Sequence, residues 1–234
     1  MKINIADMPF RTIQGEGIFC GFPSVFIRTS GCNLRCEWGN PDGSTTKCDT
    51  PYSSHQVEVN LTEIEDVIIA AEKLIRPGDH LVITGGEPTI HGDKINNLIG
   101  VLKMDRELPT TMETNGTSDK KFEGVNLLSI SPKLKSSGNL NLDPKVQKNF
   151  IAMNRQALVQ LKFVVNTRDD MEEVLSFCSV MPKGDNIIKM LMPQGVTAKA
   201  IDERLKFVSD MAIEHGFCLS DRLHIRLFGG KRGA

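Results

Sequence analysis

Ser24-Val25-Phe26-Ile27-Arg28-Thr29 is a β-rich run, and it passes directly into a polar segment, 30–58, that has no apolar period. Gly, Asn, Asp, Ser and Thr dominate this segment, so it reads as one long loop, and in a compact domain such a loop is usually functional. Behind it, Thr62-Glu63-Ile64-Glu65 has a capping-box pattern. Ile64, Val67, Ile68, Ala71 and Ile75 then share one helical face, and Pro77-Gly78 marks the stop. Further strands are predicted over 80–84, 110–114, 126–130, 159–165, 187–192 and 222–228, with helices around 94–105, 169–181 and 197–215 between several of them. Strands alternating with helices predict an α/β fold with a mostly parallel sheet, either a partial barrel or an open doubly wound sheet. No repeat or linker divides the chain, so a single domain over 1–234 is expected.

In both architectures ligands gather at the C-terminal ends of the strands. Polar and turn-forming residues sit at five such ends: Cys32 and Cys36, Gly85-Gly86-Glu87-Pro88, Glu113-Thr114-Asn115-Gly116, Ser131-Pro132-Lys133 and Pro193-Gln194-Gly195.

The 234 residues carry 28 basic and 29 acidic side chains, a net charge of −1, which argues against a generally basic nucleic-acid or polyanionic-membrane binder. With 40% apolar and 24% charged residues the chain reads as globular, and a globule this size buries roughly 70% of its unfolded surface. Met1–Asp7 has no long apolar stretch and no twenty-residue apolar span follows, so a reducing cytoplasmic compartment is expected.

There, clustered thiols bind metal or do chemistry. Cys32, Cys36 and Cys48 are clustered, whereas Cys20, Cys178 and Cys218 are scattered and read as small buried hydrophobes. The cluster has two physical readings. With His55 the three thiolates would make a closed Cys3His zinc site. Alone, they would hold three irons of a 4Fe–4S cluster and leave the fourth open to a small molecule.

Gly31-Cys32-Asn33-Leu34-Arg35-Cys36 after one strand and Gly85-Gly86-Glu87-Pro88 after another resemble the radical S-adenosylmethionine superfamily, whose usual pattern is C-x3-C-x2-C. Here the spacing is C-x3-C-x11-C, because an insertion precedes Cys48. Phe10-Arg11-Thr12-Ile13-Gln14-Gly15-Glu16-Gly17, Phe26-Ile27-Arg28, Cys48-Asp49-Thr50, Ser131-Pro132-Lys133 and the ending from Arg222-Leu223-His224 to Gly233 are similar to the 7-carboxy-7-deazaguanine synthase family.

That resemblance implies a partial TIM-type β/α barrel and an enzyme that contracts the ring of 6-carboxy-5,6,7,8-tetrahydropterin, with loss of ammonia. It implies a 4Fe–4S cluster, S-adenosylmethionine and Mg2+ as cofactors, an electron donor such as flavodoxin or ferredoxin, and a homodimer. Neither nucleic acid nor membrane is an expected partner. By the resemblance Cys32, Cys36 and Cys48, in a loop at about 30–58, ligate the cluster and Thr50 ligates Mg2+. Ile13, Gln14, Gly15, Glu16, Arg28, Thr84, His224 and Ala234 contact substrate, with Arg28 placed for its carboxylate. Lys47, Cys48, Asp49, Gly86, Ser131, Pro132, Lys133 and Gln194 contact the S-adenosylmethionine side of the site. Two alternatives are an activase that installs a glycyl radical on a protein partner and a non-enzymatic zinc-clipped module.

Overall fold

The computed structural model describes residues 1–40, 42–182, 184 and 186–233. In chain order the strands are β1 (Lys2–Ile13), β2 (Pro23–Thr29), β3 (Glu37–Gly39), β4 (Thr45–Lys47), β5 (Leu61–Glu63), β6 (His80–Gly85), β7 (Thr110–Thr114), β8 (Leu127–Ile130), β9 (Leu158–Val165), β10 (Ile187–Pro193) and β11 (Cys218–Leu219). The helices are α1 (Pro51–Ser54), α2 (Ile64–Glu72), α3 (Asp93–Lys103), α4 (Pro144–Met153), α5 (Arg168–Val180), α6 (Ala198–His215) and α7 (Leu223–Phe228).

The main sheet runs β11-β10-β9-β8-β7-β6-β2-β1-β5. Neighbours from β2 to β11 are parallel, while β1 is antiparallel to both β2 and β5. The two ends of this order are different strands, so the barrel is incomplete. This is the expected α/β partial barrel.

Successive side chains of a strand point to opposite faces, and the parallel strands use both faces. Val25, Ile27, Leu81, Ile83, Met112, Leu128, Ile130, Leu161, Phe163 and Leu191 join the apolar core that α2, α3, α5 and α6 help to enclose. Their neighbours Phe26, Arg28, Thr84, Glu113, Ser129, Lys162 and Met192 point to the other side, into the barrel. Parallel pairing brings these strand ends to one rim, so the residues that follow them share a mouth.

Several local expectations change. β1, broken in sequence by Asp7 and Pro9, pairs with β2 through two register shifts, which let it tolerate both. The capping box at 62–65 does not form: Thr62 joins the β1–β5 ladder, and the Glu63 carboxylate receives the N-terminal ammonium at 3.0 Å. The expected strand over 222–228 is α7. Its alternation of Arg222, His224 and Arg226 mimics a strand, but as a helix it sends Arg226 to Asp221 at 2.6 Å and Asp202 at 2.7 Å. Cys178 packs against the core, whereas Cys20 and Cys218 are exposed.

His80 opens β6 beneath Phe19, with ring centroids 4.4 Å apart, and its Nε2 is 2.7 Å from Thr111 Oγ1. Burial, helped by the Lys103 charge, lowers its pKa from 6.5 to about 4. Between those values the unfolded chain binds a proton that the folded chain does not, so stability falls as pH falls. Urea titrations are expected to lose about 2 kcal/mol between pH 6.5 and 5, and a His80→Gln variant to show a flatter profile.

Candidate active site

The rim of the barrel encloses a cavity of about 300 Å³, the lower end of the range for small-molecule sites. Of the residues expected from sequence, Ile13, Gln14, Gly15, Glu16, Arg28, Cys32, Cys36, Lys47, Cys48, Asp49, Thr50, Thr84, Gly86, Ser131, Lys133, Gln194 and His224 all line it. Pro132 does not: it is buried beneath the rim, between two residues that do face the cavity. Ala234 lies outside the described residues.

The long loop at 30–58 is partly regular, because the insertion folds as the β3–β4 hairpin. Its register pairs Glu37 with Lys47, Trp38 with Thr46 and Gly39 with Thr45. One step outside the Glu37–Lys47 pair, at the open end of the hairpin, Cys48 N–H donates to the Cys36 carbonyl at 3.1 Å. The hairpin therefore carries the chain out and back, returning Cys48 beside Cys36 although eleven residues separate them.

All three thiols of this loop are free and line the cavity. Leu34 N–H donates to Cys32 Sγ at 3.4 Å, Asn139 Nδ2 donates to Cys36 Sγ at 3.4 Å, and Cys48 Sγ lies 3.4 Å from Thr50 Oγ1. Burial pushes the Cys32 thiol up to about 11 and raises that of Cys36. Such thiols shed their protons only to a strongly electropositive ligand. This soft donor set, opening onto a cavity with room beyond it, fits an iron–sulfur cluster with an accessible iron. His55 does not complete a zinc clip: its Nδ1 is 3.1 Å from Ser54 Oγ, and it is absent from the cavity lining.

Gly85 and Gly86 bring backbone close to the thiol loop. A Cβ on Gly86 would sit 2.3 Å from the Gly31 carbonyl oxygen and 2.4 Å from that of Ser53, and Gly85 has φ +151°. The next residue, Glu87, is fully buried and accepts from Thr89 N (3.0 Å), Thr114 Oγ1 (2.7 Å) and Asn115 N (2.7 Å). Burial raises its pKa, and these donors oppose the rise. Glu87 thus ties the end of β6 to that of β7.

Opposite the thiols lies a buried charge network. Glu16 receives Lys162 Nζ at 2.7 Å and Arg222 Nε at 3.0 Å, with His224 Nε2 at 3.9 Å. Burial alone would raise the Glu16 pKa, but Lys162, Arg222 and His224 hold it well below the usual carboxylate range. Burial would likewise lower Lys162, which Glu16 and Glu113 keep raised. Arg222 also donates to Asp49 and to the Gly195 carbonyl, joining the thiol loop to the end of β10. Glu113 accepts from Gln14 Nε2 at 3.1 Å and Thr84 Oγ1 at 2.8 Å.

Lys162 is a site residue that no sequence motif named, and Glu113 and Arg222, though they stand in motifs quoted above, had no role assigned to them. A charged side chain within Leu161-Lys162-Phe163 or Met112-Glu113-Thr114 was the available signal. In a strand buried on both faces, such a charge has to point into the barrel.

The C-terminal tail forms one wall through Gly229, Gly230, Lys231, Arg232 and Gly233. Arg232 stacks over Tyr52 at 3.9 Å and donates to Glu58 at 2.7 and 3.0 Å. It also pairs with Asp7, whose other carboxylate oxygen lies 3.6 Å from Arg28 Nε.

The radical SAM superfamily profile matches residues 26–178. A 7-carboxy-7-deazaguanine synthase from Halobacterium salinarum is 35% identical, covering 94% of this chain and 88% of its own length. One from Rhodopirellula baltica is 35% identical over 96% and 86%, and one from Pyrobaculum aerophilum 33% over 96% and 94%. The crystal structure of QueE from Escherichia coli shares the fold, with a TM-score of 0.73 and 24% identity over 96% of this chain and 95% of that one. No helix among the described residues is long and apolar enough to cross a membrane.

Proposed function

The chain belongs to the radical SAM superfamily and, within it, to the 7-carboxy-7-deazaguanine synthase family, and we propose that its cavity holds the reacting groups as follows. The enzyme converts 6-carboxy-5,6,7,8-tetrahydropterin to 7-carboxy-7-deazaguanine with release of ammonia, using a 4Fe–4S cluster and S-adenosylmethionine. Bound together, these two supply the hydrogen-atom abstraction that starts ring contraction.

Cys32, Cys36 and Cys48 would hold the cluster, and the Cβ-free backbone at Gly85-Gly86 packs directly on Thr29, Gly31 and Ser53, which sets the thiol loop against the end of β6. Ser131, Lys133 and Gln194, from the ends of β8 and β10, flank the remainder of the cofactor, with Lys47 and Asp49 on the hairpin side. Ser131 Oγ accepts from Lys133 Nζ at 2.8 Å, which keeps that ammonium at the rim.

The substrate lies between the thiols and the charge network. Arg28 meets its carboxylate: the guanidinium faces Asp7 through Nε, 3.6 Å from the Asp7 carboxylate, and lies 5.9 Å from the Phe10 ring, which leaves its terminal nitrogens for the substrate. Glu16, Glu113 and Gln14 offer acceptors to the pterin's N–H edge, and Ile13, Gly15, Thr84 and His224 close around it. Glu16 meets the substrate as a carboxylate, because Lys162 and Arg222 hold it charged. Thr50, which lines the cavity, would supply a neutral hydroxyl oxygen to a Mg2+ ion bound with the substrate carboxylate. A low-potential donor such as flavodoxin or ferredoxin supplies the electron, and the protein acts as a cytoplasmic homodimer.

The observation that carries this reading is that three thiols, the Arg28 guanidinium and the carboxylates of Glu16 and Glu113 line one small cavity. The test is anaerobic reconstitution with iron and sulfide, then mass spectrometry of the product formed from the carboxylated tetrahydropterin. Wild-type protein is expected to give 7-carboxy-7-deazaguanine. Arg28→Lys, which loses the bidentate fork, is expected to raise KM about tenfold or more with a smaller change in kcat. A wild-type cluster that cleaves S-adenosylmethionine without product would refute the substrate assignment.

A further inference from the structure

Every thiol of the cavity has a polar neighbour, Cys48 having Asp49 Oδ1 at 3.7 Å as well as Thr50, and the one beside Cys36 differs in origin. Cys32 is met by the Leu34 backbone and Cys48 by the Thr50 hydroxyl, both from the same loop. Cys36 is met by the side-chain amide of Asn139, 103 residues away in the chain. We propose that Asn139 is a positioning residue that sets the reduction potential of the cluster through its N–H···S hydrogen bond to Cys36. This rests on Cys36 being a cluster ligand, as assigned above.

The orientation of the amide follows from its other partners. Asn139 Nδ2 also donates to the Ser137 carbonyl at 3.1 Å and contacts Ser137 Oγ at 3.0 Å. A carbonyl oxygen only accepts, so the nitrogen rather than the oxygen must face Ser137, and the same nitrogen faces the sulfur. The platform is fixed on several sides. Buried Ser137 donates through Oγ to the Leu134 carbonyl at 2.6 Å, and Lys135 N–H is held by the Glu173 carboxylate of α5 at 3.1 and 3.2 Å. Gly138 turns the chain with φ +79°, bringing its Cα under the Glu37 carbonyl of the hairpin. Asn139 therefore reaches the sulfur from a segment distant in sequence from the thiol loop and packed against its hairpin.

A donor aimed at a ligating sulfur stabilises the electron-rich, reduced cluster more than the oxidised one, and so raises its potential. Removing the donor must make the cluster harder to reduce. The test is an EPR-monitored redox titration of the anaerobically reconstituted protein, with iron and sulfide quantified. Asn139→Leu keeps the shape without the donor. Its reduced-to-oxidised ratio at a fixed ambient potential is expected to fall roughly fivefold, the scale of one net hydrogen bond, with iron content unchanged.

Asn139→Asp, which puts a charged acceptor in the same place, is expected to fall further in the same direction, and it decides the matter should Asn139→Leu not fold. A full cluster at the wild-type potential in the variants would overturn the role of Asn139 alone. So would partial loss of iron with the remaining cluster at the wild-type potential, which would make Asn139 a packing residue. Failure of the wild-type protein to assemble any cluster would instead overturn the assignment of Cys36.

Discussion

Cys48→Ala is expected to abolish the SAM-cleaving cluster and with it all product formation, whereas Cys20→Ala, Cys178→Ala and Cys218→Ala retain both. The reason is positional. The hairpin pairs Glu37 with Lys47 and closes with Cys48 N–H on the Cys36 carbonyl at 3.1 Å, so Cys48 returns beside Cys36 on the cavity that Cys32 also lines. Of the other three, Cys20 and Cys218 are exposed and Cys178 packs on the core, and none of them lines the cavity. None can replace the missing thiolate. Iron and sulfide analysis with the absorption spectrum of each variant checks this, and a catalytically competent cluster in Cys48→Ala would refute the third ligand. Deleting residues 39–47 would leave Cys36-Glu37-Trp38-Cys48, the usual spacing, and is expected to preserve a cluster, since the hairpin only bridges a detour.

Gly86→Ala is expected to damage both stability and turnover. Its Cβ would stand 2.3 and 2.4 Å from two backbone oxygens, on Gly31 and Ser53, and neither can swing aside as a side chain would. Both oxygens belong to segments stitched together at this point, with Glu87 N–H on the Gly31 carbonyl at 2.8 Å and Gly31 N–H on the Ser53 carbonyl at 3.0 Å. Relief of the clash moves Gly31, and with it Cys32. A loss of ~3 kcal/mol in urea unfolding and of about 10²-fold in turnover is expected. Gly100→Ala is the comparison. It lies in α3 with nothing within 4 Å of the added methyl, so a neutral to slightly stabilising effect of at most about 1 kcal/mol is expected.

What the sequence disclosed follows from how local each signal is. The parallel strands β2 and β6 to β10 were legible because each is a short apolar run ended by Gly, Pro or Asn, and their polar ends marked the rim before any pairing was known, whereas the two-residue β11 at Cys218–Leu219 is too short to leave a pattern. β1 was hidden by Asp7 and Pro9, which a strand accepts only with the register shifts seen against β2. The hairpin had a signal in Asp42-Gly43: Asp42 Oδ1 caps Ser44 N–H at 3.0 Å, and Gly43 supplies φ +82°. The polar run from 30 to 58 concealed it, since no apolar alternation flanks the turn.

The thiols, Arg28, Glu16 and Thr50 were identified by resemblance, and chain folding brings them to one cavity. For Lys162, Glu113 and Arg222 the local pattern marks a charge in or beside an apolar run but not what it does. Their roles depend on which face of a doubly buried strand looks inward, and on a helix whose charges alternate like a strand's. Asn139 is a purely tertiary contact, joined to Cys36 across 103 residues.

The central claim is that three thiolates, one of them returned by the hairpin, hold a cluster with one iron left for the cofactor. Mössbauer spectroscopy of the 57Fe-reconstituted protein, with and without S-adenosylmethionine, tests it most directly. The account predicts a 4Fe–4S spectrum in which a single iron site changes on adding S-adenosylmethionine. A protein that takes up zinc in place of iron, or a cluster in which no iron site responds to S-adenosylmethionine, would contradict it.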